Sequence, residues 1–249
     1  MKSGRSQHAG AAAVAAALEA GEPLRLLMVR EGALSPRARE VLARCKDAQV
    51  PIRKAGQREM KRMAAAGEVP EVLALAGPDP NARLPEVLAT GGPLWLLTGV
   101  AYPGNAGFAI RTAEVSGAAG IVLDASFDRE GRKQALRASM RADRLFPVLW
   151  ERADEVLTLA REARYRLVGI EDQGKQAPWD VDLTGPALFV VGGEAGGVAA
   201  SLLERCDVTL RIPMPGFIPS YNLQAALAIV AGERLRQEYA QPRGDDGPR

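Results

Sequence analysis

From residue 94 onward the chain carries a series of short apolar runs, Leu94 to Leu97, Ile121 to Leu123, Leu145 to Leu149, Leu167 to Ile170, Leu188 to Val191 and Val208 to Ile212, with helical stretches between them. Strands that alternate with helices need crossover connections, and apolar runs of this kind fit strands covered on both faces. This region therefore reads as an α/β unit built on a mainly parallel sheet. A smaller α/β pattern precedes it. It comprises a helix from Ala11 to Ala20, an apolar run Leu24 to Val29, a helix after Ser35-Pro36, a short strand near Val50 to Ile52, a helix Gln57 to Ala65 and a run Val69 to Ala76. Ser35 followed by Pro36 combines a cap residue with a first-turn proline. Residues 78–93 hold Pro78, Pro80, Pro85, Pro93, Gly91 and Gly92, the composition of a linker. A last helix runs from about Asn222 to Tyr239, and residues 241–249 read as a solvated tail.

Composition removes several classes of function. At 47% hydrophobic and 25% charged the chain is neither disordered nor membrane-spanning, and no apolar run reaches the roughly 18 residues a bilayer requires. Lys2 and Arg5 precede the alanine-rich stretch Ala9 to Leu18, which reads as a first helix and not as a signal segment. Cys45 and Cys206 lie far apart and form no CxxC pair, which fits a reducing cytoplasm better than a disulfide framework or a zinc site. His8 is the only histidine and falls in what reads as a frayed terminus, so Ser-His-Asp, Cys-His and multi-histidine metal chemistry are excluded. The net charge of +2 points to no partner, but the charge is unevenly spread. Between Arg37 and Arg62 there are nine basic residues against three acidic ones.

Three stretches carry candidate chemistry. Gly192-Gly193-Glu194-Ala195-Gly196-Gly197 follows a buried apolar run, yet it matches neither G-x-G-x-x-G, because Glu194 replaces a glycine, nor a P-loop. What remains is a turn that brings backbone amides close to a ligand with one carboxylate among them, or an exposed turn in which Glu194 merely caps a helix. The segment from Asn105 to Gly117 places Asn105 as a helix cap after Pro103-Gly104. Arg111 then lies nearly two turns into a helix of small residues, either ion-paired or free for a phosphate. Ile212 to Ala226 holds three prolines and a glycine before a helix that Ser220 or Asn222 caps.

Taken in order, N-x-G-x-x-x-R-T-A-x-x-x-G, then G-x-E-x-x-G, then I-P-M-x-G with S-x-N-x-x-x-A, the chain resembles the SpoU/TrmH family of SPOUT RNA methyltransferases. The resemblance spans about residues 94 to 238 and includes Ala138-Ser139-Met140 and Phe146-Pro147. It implies a methyltransferase domain over 94–240 whose parallel sheet is closed by a deep trefoil knot, one of the rare exceptions to unknotted connections. The region 1–77 is similar to the L30e-like RNA substrate-binding domain often joined to this family. The resemblance further implies an obligate homodimer, no metal, and S-adenosylmethionine as cofactor. Gly192, Gly193, Ile212, Met214, Gly216 and Tyr221 match the cofactor-binding positions, and Asn105, Arg111, Glu194, Ser220 and Asn222 match the catalytic and substrate-positioning set.

The implied reaction moves a methyl group from a sulfonium to a ribose 2′-hydroxyl of ribosomal or transfer RNA. Removing a proton from any arginine at neutral pH costs roughly 7 kcal/mol or more. Arg111 is therefore expected to act as a fixed cation on a phosphate and on the developing alkoxide, with Glu194 orienting Arg111 or the ribose. Base methylation by the same fold, and a noncatalytic RNA-binding protein that retains it, are the alternatives. The chain departs from the family pattern at Tyr102, Gly193, Ala195 and Tyr221, and Arg141 stands at a customary glycine. RNA contact is expected from the basic stretch 37–62 and from Arg132, Lys133, Arg137, Arg141 and Arg144.

Overall fold

In a computed structural model, which describes residues 5–64, 69–194 and 196–240, the chain forms two compact units, Met1–Asp79 and Pro80–Arg249. The tail 241–249, Ala65 and Ala195 lie outside the described residues.

The first unit is a mixed sheet with helices. Its strands are β1 (Ser6–Ala9), β2 (Leu24–Arg30), β3 (Ile52–Ala55) and β4 (Val72–Ala76), in the order β1-β4-β2-β3. β4 pairs antiparallel with both β1 and β2, and β2 pairs parallel with β3. Its helices are α1 (Ala11–Glu19), α2 (Pro36–Asp47) and α3 (Gln57–Met63). The Ser35 side chain accepts from the Ala38 amide and caps α2, as the Ser-Pro pair requires. His8 is not frayed. It sits in β1 opposite Ala74, and its Nε2 lies 2.9 Å from Glu22 Oε2. A short polar strand of this kind has no apolar run to announce it, and its place comes from pairing with β4.

The second unit is a parallel sheet of six strands, β5 (Leu94–Thr98), β6 (Gly120–Asp124), β7 (Val148–Leu149), β8 (Arg166–Ile170), β9 (Ala187–Gly192) and β10 (Val208–Leu210). Their order is β10-β8-β9-β5-β6-β7. Helices α4 (Leu84–Ala89) and α7 (Ala153–Glu162) cover one face over Leu94, Leu96, Leu188 and Val190. On the other face, α5 (Pro103–Val115) and α9 (Leu223–Ala240) pack over Trp95, Leu97 and Phe189, and the Trp95 and Phe189 rings stack at 4.7 Å. Both faces are apolar because both are covered. Two helices remain, α6 (Arg129–Ala138) and the short α8 (Ala200–Leu203).

The stretch 78–93, read as a linker, contains α4, whose Leu84, Val87 and Leu88 are buried in the second core. Pro85 starts this helix in its first turn and does not mark an open tether. The apolar run 145–149 yields only a two-residue β7, preceded by a single 3-10 turn at Ala142–Arg144. Gly107 explains why α5 is rich in small residues: a Cβ there would lie 2.5 Å from the Ala135 carbonyl oxygen of α6. Among the described residues no helix is long and apolar enough to cross a membrane, and no three His, Cys, Asp or Glu side chains group as a metal site.

Candidate active site

A cleft of about 360 Å³ opens at the carboxyl ends of β8 and β9. Its walls come from three segments: the ends of β8 (Ile170, Glu171, Asp172) and β9 (Val191 to Glu194, with Gly197), and the stretch from Ile212 to Ala226. The glycines are there because the backbone is crowded. A Cβ on Gly192 would stand 2.0 Å from the Gly197 carbonyl carbon, and one on Gly193 would stand 2.0 Å from the Gly99 carbonyl oxygen. The Gly193 amide donates to the Thr98 carbonyl at 2.7 Å, which fixes the turn against the end of β5. The departure at Gly193 thus has a local reason, the close approach of residue 99.

Glu194 leaves this turn toward the start of α5. The Asn105 side-chain amide donates to Glu194 Oε1, and the Ala101 backbone amide donates to Oε2 at 3.1 Å. Partial burial raises the Glu194 carboxyl, but the hydrogen bonds from Asn105, Ala101 and its own amide prevail, and the net shift is downward. Glu194 is thus an anion at neutral pH whose partner is Asn105 and not Arg111. Asn105 is also not the cap of α5: the helix begins at Pro103 with Tyr102 as N-cap, and Asn105 lies within the first turn with its side chain turned to Glu194.

Arg111 is exposed on α5 and makes no hydrogen bond or ion pair among the described residues. Neither Arg111 nor Asn105 lines the cleft, whereas Glu194, Ser220 and Asn222 do. Asn222 Oδ1 accepts from the Gln224 amide at 2.9 Å and caps α9. Gln224 in turn donates to Thr112 of α5 at 3.3 Å, tying the two helices together one residue from Arg111. Of the expected cofactor positions, Gly192, Gly193, Ile212, Met214 and Tyr221 line the cleft, while Gly216 is exposed and outside it.

Ile170, Glu171 and Asp172 are cleft residues that no motif announces. They follow an apolar run that looks like any other, and only the neighbouring positions of β8 and β9 bring them to the glycine turn. Four cations of the basic stretch after α5 have protein partners. Lys133 and Arg137 pair with Glu130, Arg141 is held by Asp143, and Arg132 lies 4.7 Å over the Trp150 ring. Arg141 has φ 62, the left-handed conformation that explains a customary glycine at that place.

A parallel sheet with a glycine turn and a concave cleft beyond its carboxyl ends defines an α/β enzyme that binds a nucleotide-like ligand at the strand termini. The chain belongs to the SpoU rRNA methylase family, whose profile matches residues 94–232, and residues 9–80 match the RNA 2′-O ribose methyltransferase substrate-binding domain. It is an S-adenosylmethionine-dependent RNA 2′-O-ribose methyltransferase by class. It is 29% identical over 227 residues to the 23S rRNA (guanosine-2′-O-)-methyltransferase RlmB of Pseudomonas syringae pv. tomato, covering 86% of this chain and 88% of that one. It is 28% identical over 207 residues to the 23S rRNA (adenosine(1067)-2′-O)-methyltransferase of Streptomyces laurentii, covering 82% and 77%. Among solved structures, the SpoU methyltransferase AviRb from Streptomyces viridochromogenes in complex with AdoMet aligns with a TM-score of 0.57 at 25% identity over 96% of this chain and 92% of that one.

Proposed function

We propose that this enzyme methylates a ribose 2′-hydroxyl of ribosomal RNA, with the cofactor seated in the cleft at the ends of β8 and β9. The observation that carries the reading is the cleft itself, where a turn too crowded for a Cβ at Gly192, Gly193 or Gly197 meets the apolar Ile212 and Met214 and a rim of Glu171, Asp172 and Glu194 without a lysine or arginine. That lining fits a cofactor with a flat adenosine and a cationic sulfonium. When bound, the cofactor supplies a methyl group on positively charged sulfur. The chain's own groups align the nucleotide and disperse charge. Arg111, without a protein partner among the described residues, clamps an RNA phosphate and steadies the forming alkoxide; Ser220 and Asn222 orient the ribose. The Asn105–Glu194 pair fixes the turn between cofactor and RNA. Gly192, Gly193, Ile212, Met214 and Tyr221 hold the cofactor.

Ribosomal RNA is preferred over transfer RNA because the two relatives described above act on 23S rRNA by name. In the first unit, Lys54 on the edge strand β3 and Arg58, Lys61 and Arg62 on α3 are exposed and unpaired among the described residues, which supports that unit as the phosphate-binding part. The knot is supported by the path of the chain. After edge strand β10, residues 212–222 cross the ends of β8 and β9, and α9 returns onto the face that α5 covers. The homodimer cannot use the apolar face of α9, because Leu223, Leu227 and Val230 are buried in the chain's own core. Phe108 and Val115 on α5 and Tyr239 on α9, exposed by 51%, 74% and 67%, are the apolar surface such a dimer would cover. A reducing compartment, the cytoplasm, suits Cys45, which is buried, and Cys206, whose thiol burial and Asp207 push up to about 11.

The test is incubation of the full-length protein with S-adenosylmethionine and undermethylated ribosomal RNA, followed by nuclease digestion and mass spectrometry. A 2′-O-methyl nucleoside is expected. A methylated base, or cofactor binding with no transfer to any RNA, overturns the reading.

A further inference from the structure

Two carboxylates grip the glycine turn from opposite sides. Glu194 holds its leading arm against the start of α5 through Ala101 and Asn105. The trailing arm is held from β8: the Val198 amide donates to Glu171 Oε1 at 2.5 Å. Glu171 is itself fixed by backbone, since its amide donates to the Leu210 carbonyl at 3.0 Å and its carbonyl accepts from Gly174 at 3.1 Å. Gly197 lies directly against the carboxylate. A Cβ at that position would stand 2.3 Å from Glu171 Oε1, and its backbone is left-handed at φ 63. Gly197 in turn packs on Gly192, whose own missing Cβ would meet the Gly197 carbonyl carbon at 2.0 Å. Displacement of Val198 is thereby passed directly to the floor of the cleft. Glu171 also lines that cleft.

We propose that Glu171 is a positioning residue for cofactor binding: a clasp that fixes the trailing arm of the glycine turn, through the Val198 amide, in the shape that receives the cofactor. The inference rests on the reading of the cleft as the cofactor seat. Without the clasp the Val198 amide loses its acceptor, and the arm from Gly197 to Val198 is free to leave the floor formed by Gly192. The cost falls on binding and not on the chemical step, because Glu171 has no place among the groups assigned to the RNA ribose.

Calorimetric titration of the full-length protein with S-adenosylhomocysteine, the product of the assigned class, tests this directly. Glu171→Ala is expected to weaken binding at least tenfold, while Glu171→Gln, which keeps an acceptor oxygen for Val198, stays within about threefold of wild type. Glu171→Asp, shorter by one methylene, behaves like the alanine variant and covers the case in which alanine fails to fold. Gly197→Ala also weakens binding, and combined with Glu171→Ala it costs less than the product of the two single effects, because the collision at 2.3 Å is gone. Amide exchange at Val198, slow in wild type and fast in Glu171→Ala, reads the clasp with no ligand present. Wild-type affinity and slow Val198 exchange in Glu171→Ala overturn the proposal, as does a glutamine variant as weak as alanine. Failure of the wild-type protein to bind the ligand strikes the cofactor reading instead, and Val198 exchange then decides whether the clasp exists.

Discussion

The two units differ in where glycine is forced by crowding and where a run of cations is left unpaired, although each also holds open glycines or Arg–carboxylate pairs. In the first unit Gly10, Gly21, Gly32 and Gly56 have nothing within 4 Å of where a Cβ would stand, and Arg37, Lys46, Lys54, Arg58, Lys61 and Arg62 are exposed with no pairing among the described residues. In the second unit Gly107, Gly192, Gly193 and Gly197 leave no room for one, and Lys133, Arg137 and Arg141 are paired with carboxylates. A surface that binds a polyanion needs mobile, unneutralised cations and little backbone precision. A pocket that grips a small cofactor needs backbone brought closer than side chains permit. Arg111 shares its lack of a pairing among the described residues with other exposed cations of the second unit, such as Arg144 and Lys175, and it is proposed for the RNA because it lies on α5, one residue from the Thr112–Gln224 bond that ties α5 to α9.

The comparison breaks most visibly at the glycines. Gly192→Ala is expected to weaken cofactor binding more than about 100-fold and to destabilise the fold by roughly 3 kcal/mol, since only backbone lies in the way. Its counterpart Gly56→Ala, in open space at the N-cap of α3, costs under about 1 kcal/mol and leaves binding untouched. Equal thermal shifts for the two would erase the contrast. Next in size, Arg111→Lys keeps the charge but loses the planar fork, so single-turnover methyl transfer falls about 100-fold with cofactor affinity unchanged. A near wild-type rate removes Arg111 from the site.

A tenfold effect is expected from the cations of the first unit. Changing Lys54, Arg58, Lys61 and Arg62 together to alanine lowers RNA affinity about tenfold and flattens the plot of affinity against salt, whereas Lys133→Ala with Arg137→Ala, which share Glu130 as a partner, alters the slope less. The reverse ranking places the RNA on the second unit. The smallest effect concerns Glu194. Its carboxyl is held below the usual glutamate range, so the network with Asn105 and Ala101 is complete above that range and is lost as pH falls through the depressed value. Cofactor affinity is thus flat from neutral pH down to the ordinary glutamate pKa and declines only below it. Glu194→Gln, which sets an amide against the Ala101 amide, lowers affinity about fivefold at neutral pH and removes the share of that acid-side decline due to Glu194.

Much of the second unit was legible because burial leaves a local trace. Every apolar run from Leu94 to Leu210 contains a strand, though the run 145–149 holds only the two residues of β7, and the glycine turn, the Pro-rich entry to α9 and the Asn222 cap lie where their residue types place them. Misreadings fell where the trace is weak or ambiguous. β1 is polar at Ser6, Gln7 and His8 and exists by pairing with β4, and Pro85, in a stretch whose composition resembles a linker, begins α4. The apolar stripe of α9 fits a subunit interface and an internal core equally well, and in the fold Leu227 and Val230 face inward.

The sequence by itself determined the two-unit α/β order, the chemistry of the glycine turn and the membership of a methyltransferase family, since these depend on residue type and spacing along one segment. Tertiary structure alone decided the partners. Glu194 meets Asn105 across 89 positions, Glu171 meets Val198 across 27, and Gln224 meets Thr112 across 112. Periodicity records whether a side chain is covered but not by what. A carboxylate's hydrogen bond depends on which strand ends the sheet order sets side by side, and that order arises only when β8, β9 and β5 are assembled.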